Sequence, residues 1–419
     1  KDAADRNIDI IVTDHHEPTA RLPHCIATLN PKVQGSTYPN REITGVGVAF
    51  KLAHAISNEL VEQGKISTGK IDLKRYLDLV ALGTIADMGQ LLGENRIFVR
   101  YGLRQLRKTK RIGLAKLCLL SDVHLSEITP LEIASKVAPR INSLGRIADP
   151  NKGVKILLCR DPHDAEILAK ELENHNQERQ NIERKDSDDI ENLLTAHPEI
   201  LHEKGIVIHS NKWHPGIIPI LTARIAKHYN RPTLVIAIED GIGKGSMRTI
   251  SEFPLLPTLK ENSDLLLNFG GHDFAAGLMI EENNIEKFKQ QFIKSVNRTL
   301  KDQDIRPKLQ LDAKISFADL NYDFMESLHL LEPFGNGNPV PVFYSDVKQI
   351  WPPKVVGKSH LKLYFDQNGM FEGIAFGMAD RRPELLRKNL SLNIAFSPHI
   401  NTFLNKTSIQ LQVRDFRVI

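Results

Sequence analysis

The stretch "IDIIVTDHHEP", residues 8–18, decides how the chain is read. Five of the six residues 8–13 are apolar or β-branched, a length and composition suited to a buried parallel strand. The strand then delivers an acid and two imidazoles, Asp14, His15 and His16. In parallel α/β sheets ligands sit beyond the carboxyl ends of the strands. An imidazole at such an end can bind a divalent metal, and a carboxylate such as Asp87 can complete its sphere. Taken alone, a His-His pair after a strand reads equally as surface loop, and Asp87 as a helix end. Their context has to decide.

Outward from that stretch, short apolar runs alternate with helical ones as far as about residue 159, the pattern of a parallel sheet with covering helices. "GVGVAFKLAHAISNELVEQG" (45–64) reads as a helix with Phe50, Leu52, Ala53, Ile56 and Leu60 on its apolar face. "KRYLDLVALGTIAD" (74–87), apolar at Leu77, Val80, Ala81 and Ile85, reads as a helix that delivers Asp87 at its end. Residues 163–194 are strongly polar, with Leu168, Leu172, Ile182, Ile190 and Leu193 as a thin apolar stripe. As one helix they would span on the order of 45 Å at ~1.5 Å per residue. A mostly polar helix of that length is expected to bridge two domains.

A second α/β unit starts at "GIVIHS" (205–210), continues through "RPTLVIAIED" (231–240) and closes with "IEKFKQQFIKSV" (285–296), apolar at Ile285, Phe288, Phe292 and Val296. Beyond Lys308, "HLKLYFDQNGMFEGIAFG" alternates around Asn368-Gly369, a hairpin signal. "LSLNIAFSPHI" and "SIQLQVRDFRVI" alternate likewise, which predicts a small β-barrel. The expected class is therefore α/β. A parallel-sheet domain (1–162), a long connecting helix (163–200), a second α/β domain (201–304) and a β-barrel (305–419) follow one another.

A chain of 419 residues suits two or three domains. The formal charge is only +4, so a polyanionic partner must be held by local basic clusters rather than by the overall field. Cys25, Cys118 and Cys159 lack metal-ligand spacing, pointing to a reducing compartment without disulfides or structural zinc. No apolar run approaches the roughly 18 residues that span a bilayer, and no signal peptide opens the chain. The opening "KDAADRN" lacks Met and reads as the tail of an amphipathic helix, so the chain is expected to begin within a domain.

"VTDHHEP", "NPK" (30–32), "GVGVAFKLA" and "LDLVALGTIADM" together resemble the DHH phosphoesterase superfamily. The likeness continues through "PRINSLGRI", "WHPGIIPILTARIA", "KGSMRTI", "FGGHDFAAGL" and "LEPFGNGNPVPVF", in order, over nearly the whole chain. Within the superfamily this series is similar to the bacterial exonucleases specific for single strands. The resemblance implies a DHH domain, a DHHA1 domain and an OB-like barrel. It implies a 5′-to-3′ exonuclease acting on single-stranded DNA in recombination and repair, a cytoplasmic monomer supplied by a helicase and a strand-binding protein. His15 and Asp87 would be ligands to Mn²⁺ or Mg²⁺, two ions in the complete protein. His16 would sit beside the scissile phosphate, with Asp14 supporting the histidines.

The same resemblance makes Arg146, Ser246 and Arg248, in loops after apolar stretches, readers of a 5′-terminal phosphate; arginine gives forked, charge-assisted bonds to phosphate. His214 and the Gly270-Gly271-His272 segment would contact the strand. Glycines let a nucleic-acid backbone approach closely, although a glycine pair also suits a plain tight turn. Pro219 stands where glycine is commoner in the family, a departure that bears on the local backbone geometry more than on His214. In the barrel, Trp351, Phe343 and Tyr364 could stack on bases or fill the core, and residues 305–419 carry 14 Lys or Arg against 11 Asp or Glu, a mildly basic balance. The family's upstream Asp-x-Asp-Ala-Asp-Gly segment and a further aspartate before the DHH strand do not occur in these residues, which again predicts an N-terminally incomplete chain. Two rival readings stay open: a DHH phosphodiesterase for nanoRNA or cyclic dinucleotides, and an inactive single-strand-binding scaffold.

Overall fold

The computed structural model describes residues 2–18, 22–367, 369–387, 389–403 and 406–419. It divides into two units, Lys1–Gly89 with Gly93–Pro307, and Gln90–Leu92 with Lys308–Ile419. Of the opening segment expected to be a helix tail, Ala4–Arg6 form a single 3₁₀ turn, and Lys1 lies outside the described residues.

In the first unit, β1 (Ile11–Thr13) pairs in parallel with β2 (Ala27–Leu29), with Val12 opposite Thr28. The expected strand is therefore real but shorter. It is also not buried: Ile8, Ile10 and Ile11 are 55%, 38% and 54% exposed. With one neighbouring strand among the described residues and only slight contact from the helix of residues 45–62, Val12 alone of the strand is partly covered.

Helices follow: α1 (Gly45–Glu62), α2 (Leu77–Ala86), α3 (Gly93–Leu106) and α4 (Ile112–Leu120). The short α5 (Pro130–Glu132), α6 (Ala138–Asn142), α7 (Leu144–Ile147) and α8 (Asn151–Leu158) complete this half. Ile43, Val48, Val80 and Phe98 form the core between α1, α2 and α3. On α1 the buried side is carried by Gly47 and Val48, and Ala53 and Ile56 of the expected apolar face are exposed. On α2, Val80, Ala81 and Ile85 are buried as the pattern predicts.

Gly102 of α3 lets two helices touch. A Cβ there would lie 2.3 Å from the Leu77 carbonyl oxygen and 2.5 Å from the Ala81 Cβ. Gly102→Ala is expected to destabilise the unit by about 1–2 kcal/mol, overpacking of ~1–3 kcal/mol outweighing the helix-propensity gain. Urea unfolding checks this, and an unchanged midpoint would contradict so close a contact.

The long helix appears as α9 (Pro162–Ala196), 35 residues started by the Asp161 side chain, which accepts from the His163 and Asp164 amides. It is not a bare bridge, because α4, α6, α7 and α8 pack along one part of it and α10 (Ile218–Tyr229) along another. Its buried positions are Ala165, Ala169, Leu172, Asn176, Arg179, Glu183, Asp186, Ile190 and Leu194. Four of these are polar, and Leu168, Ile182 and Leu193 of the expected stripe are only half-buried.

Beyond α9 stands a five-stranded sheet of order β3-β4-β5-β7-β6. Its strands are β3 (Ile206–Ser210), β4 (Thr233–Glu239), β5 (Ile242–Arg248), β6 (Leu266–His272) and β7 (Ala275–Glu281). β3 and β4 are parallel, joined through α10, and the remaining pairs are antiparallel. One face packs on α11 (Leu255–Glu261) and α12 (Ile285–Thr299) through Leu255, Leu259, Phe288, Phe292 and Val296. On the opposite face, Ile206, Ile208, Val235 and Ala237 of β3 and β4 lie under α9 and α10. α10 also reaches β5, where Ser246 is buried, so this face is open only over β6 and β7, at Gly270, Gly277 and Met279. Pro219 sits in the first turn of α10, where a proline costs no hydrogen bond.

The second unit contains β8 (Ala313–Lys314), α13 (Tyr322–His329), β9 (Phe343–Gln349), β10 (Lys354–Val356), β11 (His360–Asp366), β12 (Met370–Ala375), β13 (Ser391–Phe403) and β14 (Lys406–Val418). β9, β11, β12, β14 and β13 pair in a closed ring, since β9 bonds both β13 and β11. This is the OB-like barrel. β11 and β12 form the expected hairpin, although Asn368 of its turn lies outside the described residues. Phe343 is a core residue, whereas Trp351 is 46% exposed and meets Tyr364 edge-on at 5.1 Å.

Candidate functional site

The loop after β1 is tied down by its own residues. Asp14 Oδ1 accepts from the His15 amide at 2.7 Å and the His16 amide at 3.1 Å, and lies 2.8 Å from His16 Nδ1. Burial alone would raise the Asp14 pKa, but the bonds from His16 and His15 outweigh it and hold the carboxyl below its usual value. Asn30 closes the loop, its Nδ2 donating to the His16 carbonyl at 2.8 Å while its Oδ1 accepts from the Lys32 amide at 2.9 Å. The sequence contained Asn30 in "NPK" but gave no sign of this bracing role.

The ligand atoms of Asp14, His15 and His16 lie within 4.8 Å of one another. Asp87 reaches the group from the C-terminal end of α2, its Oδ2 3.5 Å from His15 Nε2. That separation is long for a hydrogen bond, yet one cation with ~2.1 Å bonds can be reached by both atoms. Burial pushes the His15 pKa below its ordinary value, against the opposing pull of Asp87, which favours the neutral imidazole that ligates metals. The two elements are registered by close packing. The Thr44 and Thr84 hydroxyls meet at 3.0 Å, and a Cβ on Gly45 would lie 3.1 Å from His15 Cδ2. The donor set of imidazole and carboxylate therefore suits a hard divalent cation such as Mn²⁺ or Mg²⁺.

Apart from His214, in the loop before α10, the other residues singled out by sequence fall on regular elements. Arg146 is in α7, and Ser246 and Arg248 are in β5. The glycine pair is within β6, not in a turn. Across the sheet, Arg248 pairs with Ala275, which pairs with His272. Ser246 pairs with Gly277, which pairs with Gly270. The strand period of two puts both rows on the same face, buried at Ser246 and open at Gly277 and Gly270, with Arg248 and His272 about 10 Å apart at ~4.8 Å per strand. Gly270 has open space where a Cβ would stand. Gly271, at φ 138, points the other way, and a side chain there would strike the Ala275 carbonyl at 2.4 Å.

Arg146 and the loop before α10 hold each other. Arg146 Nη1 donates to the Gly216 carbonyl at 2.9 Å, and the Gly216 amide donates to His214 Nδ1 at 3.0 Å. His214 thus carries its proton on Nε2, free to donate outward. Arg248 Nη1 donates to the Met247 carbonyl at 2.7 Å. Burial, and then the Arg146 charge, lower the Arg248 pKa; burial and Arg179 do the same to Arg146. Cations are therefore gathered beside a floor of glycine and alanine. Sequence reading missed Arg179, Glu183 and Arg224, which join this cluster: Glu183 is shared by Arg179 and Arg224. Only the i,i+4 Arg-Glu spacing hinted at the first pair, and on a polar helix such spacing is common.

A strand ending in Asp-His-His beside the acid at the end of α2, followed by a GGH-bearing sheet and a closed five-strand barrel, defines a DHH-class protein. Family models agree: the N-terminal domain of the DHH family matches residues 1–84, the DHHA1 domain 202–301 and the RecJ OB domain 311–415. The single-stranded-DNA-specific exonuclease RecJ of Bacillus subtilis is 32% identical over all of this chain and 52% of its own length. RecJ of Dickeya dadantii is 33% identical over 98% of this chain and 74% of its own. The crystal structure of Thermus thermophilus RecJ with Mn²⁺ superposes with a TM-score of 0.83, at 29% identity, over 99% of this chain and 58% of that one. A second structure of that protein, with Mg²⁺, gives 0.79 at 28% identity over 98% and 60%. The chain belongs to the RecJ family, and it spans about half the length of the Bacillus relative. Among the described residues no helix is long and apolar enough to cross a membrane.

Proposed function

We propose that this chain is the larger part of a metal-dependent 5′-to-3′ exonuclease that degrades single-stranded DNA in recombination and repair. The observation that carries the reading is the pairing of His15 Nε2 with Asp87 Oδ2 at 3.5 Å in a chain that also has the Arg146–Arg248 cluster and the OB barrel. His15 and Asp87 would hold Mn²⁺ or Mg²⁺, and two ions would be bound in all. When bound, such ions activate a water and stabilise the oxygens of an in-line displacement. Asp14 fixes the loop and the orientation of His16, and His16 lies beside the scissile phosphate. Arg146, Ser246 and Arg248 receive the 5′-terminal phosphate. His214 and His272 donate to the strand, whose backbone passes over Gly270 while Gly271 keeps β6 against β7.

The closed barrel, with Trp351 exposed beside Tyr364, favours a long strand over the short substrates of the nanoRNA or cyclic-dinucleotide reading. We assign the domains to residues 1–162, 163–200, 201–304 and 305–419, and place a monomer in the cytoplasm, supplied with strands by a helicase and a strand-binding protein. The test is binding. Residues 1–419 should bind a single-stranded oligonucleotide with an affinity that falls steeply with salt, as phosphate contacts release counterions. Affinity unchanged between low and physiological salt, or no binding, contradicts the reading.

A further inference from the structure

The cluster beneath the proposed end site contains a carboxylate that the reading above does not use. Glu183 and Arg179 are both 9% exposed on α9, and α7, which carries Arg146, packs against the same helix. Glu183 Oε2 accepts from Arg179 Nη1, and Glu183 Oε1 accepts from Arg224 Nη2. Arg179 Nη2 donates to Asn176 Oδ1 at 3.2 Å, but its Nε is buried without a hydrogen-bond partner. Glu183 is the carboxylate whose charge bears on Arg146 beside the guanidinium groups of Arg179 and Arg248, while Asp186, also buried on α9, accepts from the His214 amide at 3.0 Å. Arg224 is the exposed arm of the group, its side chain 55% accessible, so water screens it. Arg146 feels both signs: Arg179 disfavours its charge and Glu183 favours it.

We propose that Glu183 sets the charge of the terminal-phosphate site from behind, by tying Arg179 and Arg224 and so withholding one positive charge from Arg146 and Arg248. This rests on the end-site reading given above. A terminal phosphate carries about −1.5 to −2 near neutral pH, whereas a diester carries about −1. Attraction grows with the product of the site and ligand charges. Each positive charge added to the site therefore widens the preference for a 5′-phosphate, and each one removed narrows it. An over-charged site would also hold the phosphate of every released nucleotide. Glu183 keeps the grip moderate, as repeated cycles of binding and release require.

The test is the ratio of affinities for 5′-phosphorylated and 5′-hydroxyl strands of one sequence, measured by fluorescence anisotropy on the 419-residue chain at low salt. Glu183→Gln is expected to widen the ratio about three- to tenfold, the effect of one unscreened charge at this range, and Arg179→Gln to narrow it similarly. The double variant restores the net charge and should return to the parent ratio. A residue that only stabilised the helix would lower the ratio in all three variants, and that result overturns the proposal. Should Glu183→Gln not fold, Arg179→Gln and the charge-retaining Arg179→Lys decide. A narrowed ratio in the first with the parent ratio in the second supports the proposal, and equal ratios overturn it. A parent chain with no preference for the 5′-phosphate overturns the end-site reading itself, an outcome distinct from a preference that Glu183 leaves unmoved.

Discussion

Replacing His15 by alanine in the protein expressed from its whole coding sequence is expected to lower Mn²⁺-dependent degradation of single-stranded DNA by about a thousandfold or more. A bound ion contributes several kcal/mol of transition-state stabilisation, and ~4 kcal/mol corresponds to about three decades of rate. His15 is the imidazole whose Nε2 faces Asp87, and burial favours its neutral, ligating form. Asp87→Ala should act alike, because it would remove the other side chain proposed to hold that ion. Binding of the strand should survive in both variants, since the cations around Arg146 and Arg248 stand on α7 and β5, outside the loop that carries the imidazoles. Steady-state digestion, with strand binding measured in parallel, separates loss of chemistry from loss of fold. Either variant digesting at the parent rate would overturn the metal assignment.

The second large effect is expected at Arg248. Losing one charge-assisted bond to a phosphate costs roughly 1.5–3 kcal/mol, about ten- to a hundredfold at ~1.4 kcal/mol per decade. Arg248→Ala should lower kcat/KM on 5′-phosphorylated strands by that factor and shrink their advantage over 5′-hydroxyl strands, with Mn²⁺ affinity unchanged. If Arg248 were a general backbone contact, both substrates would weaken equally. Paired kcat/KM values distinguish the two. The geometry favours the selective outcome: Arg248 shares its face of the sheet with Ser246 and His272, and the Arg146 charge acts on it.

The residues proposed to hold the metal could be picked out in the sequence because local order places them together. Asp14 to His16 follow directly on a β-branched run, and Asp87 follows directly on a helix whose Val80, Ala81 and Ile85 mark the buried side. The barrel was legible for a similar reason, since alternation survives in strands that bury one face. The surroundings were less so. Residues 8–13 carry the composition of a buried strand, but burial depends on neighbours that composition does not name, and here Ile8 and Ile11 are exposed. "KGSMRT" reads as a loop after an apolar stretch rather than as a strand. The pairing of β5 between β4 and β7 makes it one. On α9 the apolar stripe misled in the opposite direction. Arg179 and Glu183 look like a solvated pair, and only the packing of α7 and α10 against that helix turns them inward.

The most direct measurement of the central claim is polarity. Single strands labelled internally and blocked at one end are given, with Mn²⁺, to the protein expressed from its whole coding sequence, and products are followed with time. Strands blocked at the 3′ end should shorten stepwise from a free 5′-phosphate, while strands blocked at the 5′ end should persist. Persistence of both, or shortening of the 5′-blocked strands at the same rate, would contradict a 5′-end-dependent exonuclease built on His15, Asp87 and Arg248.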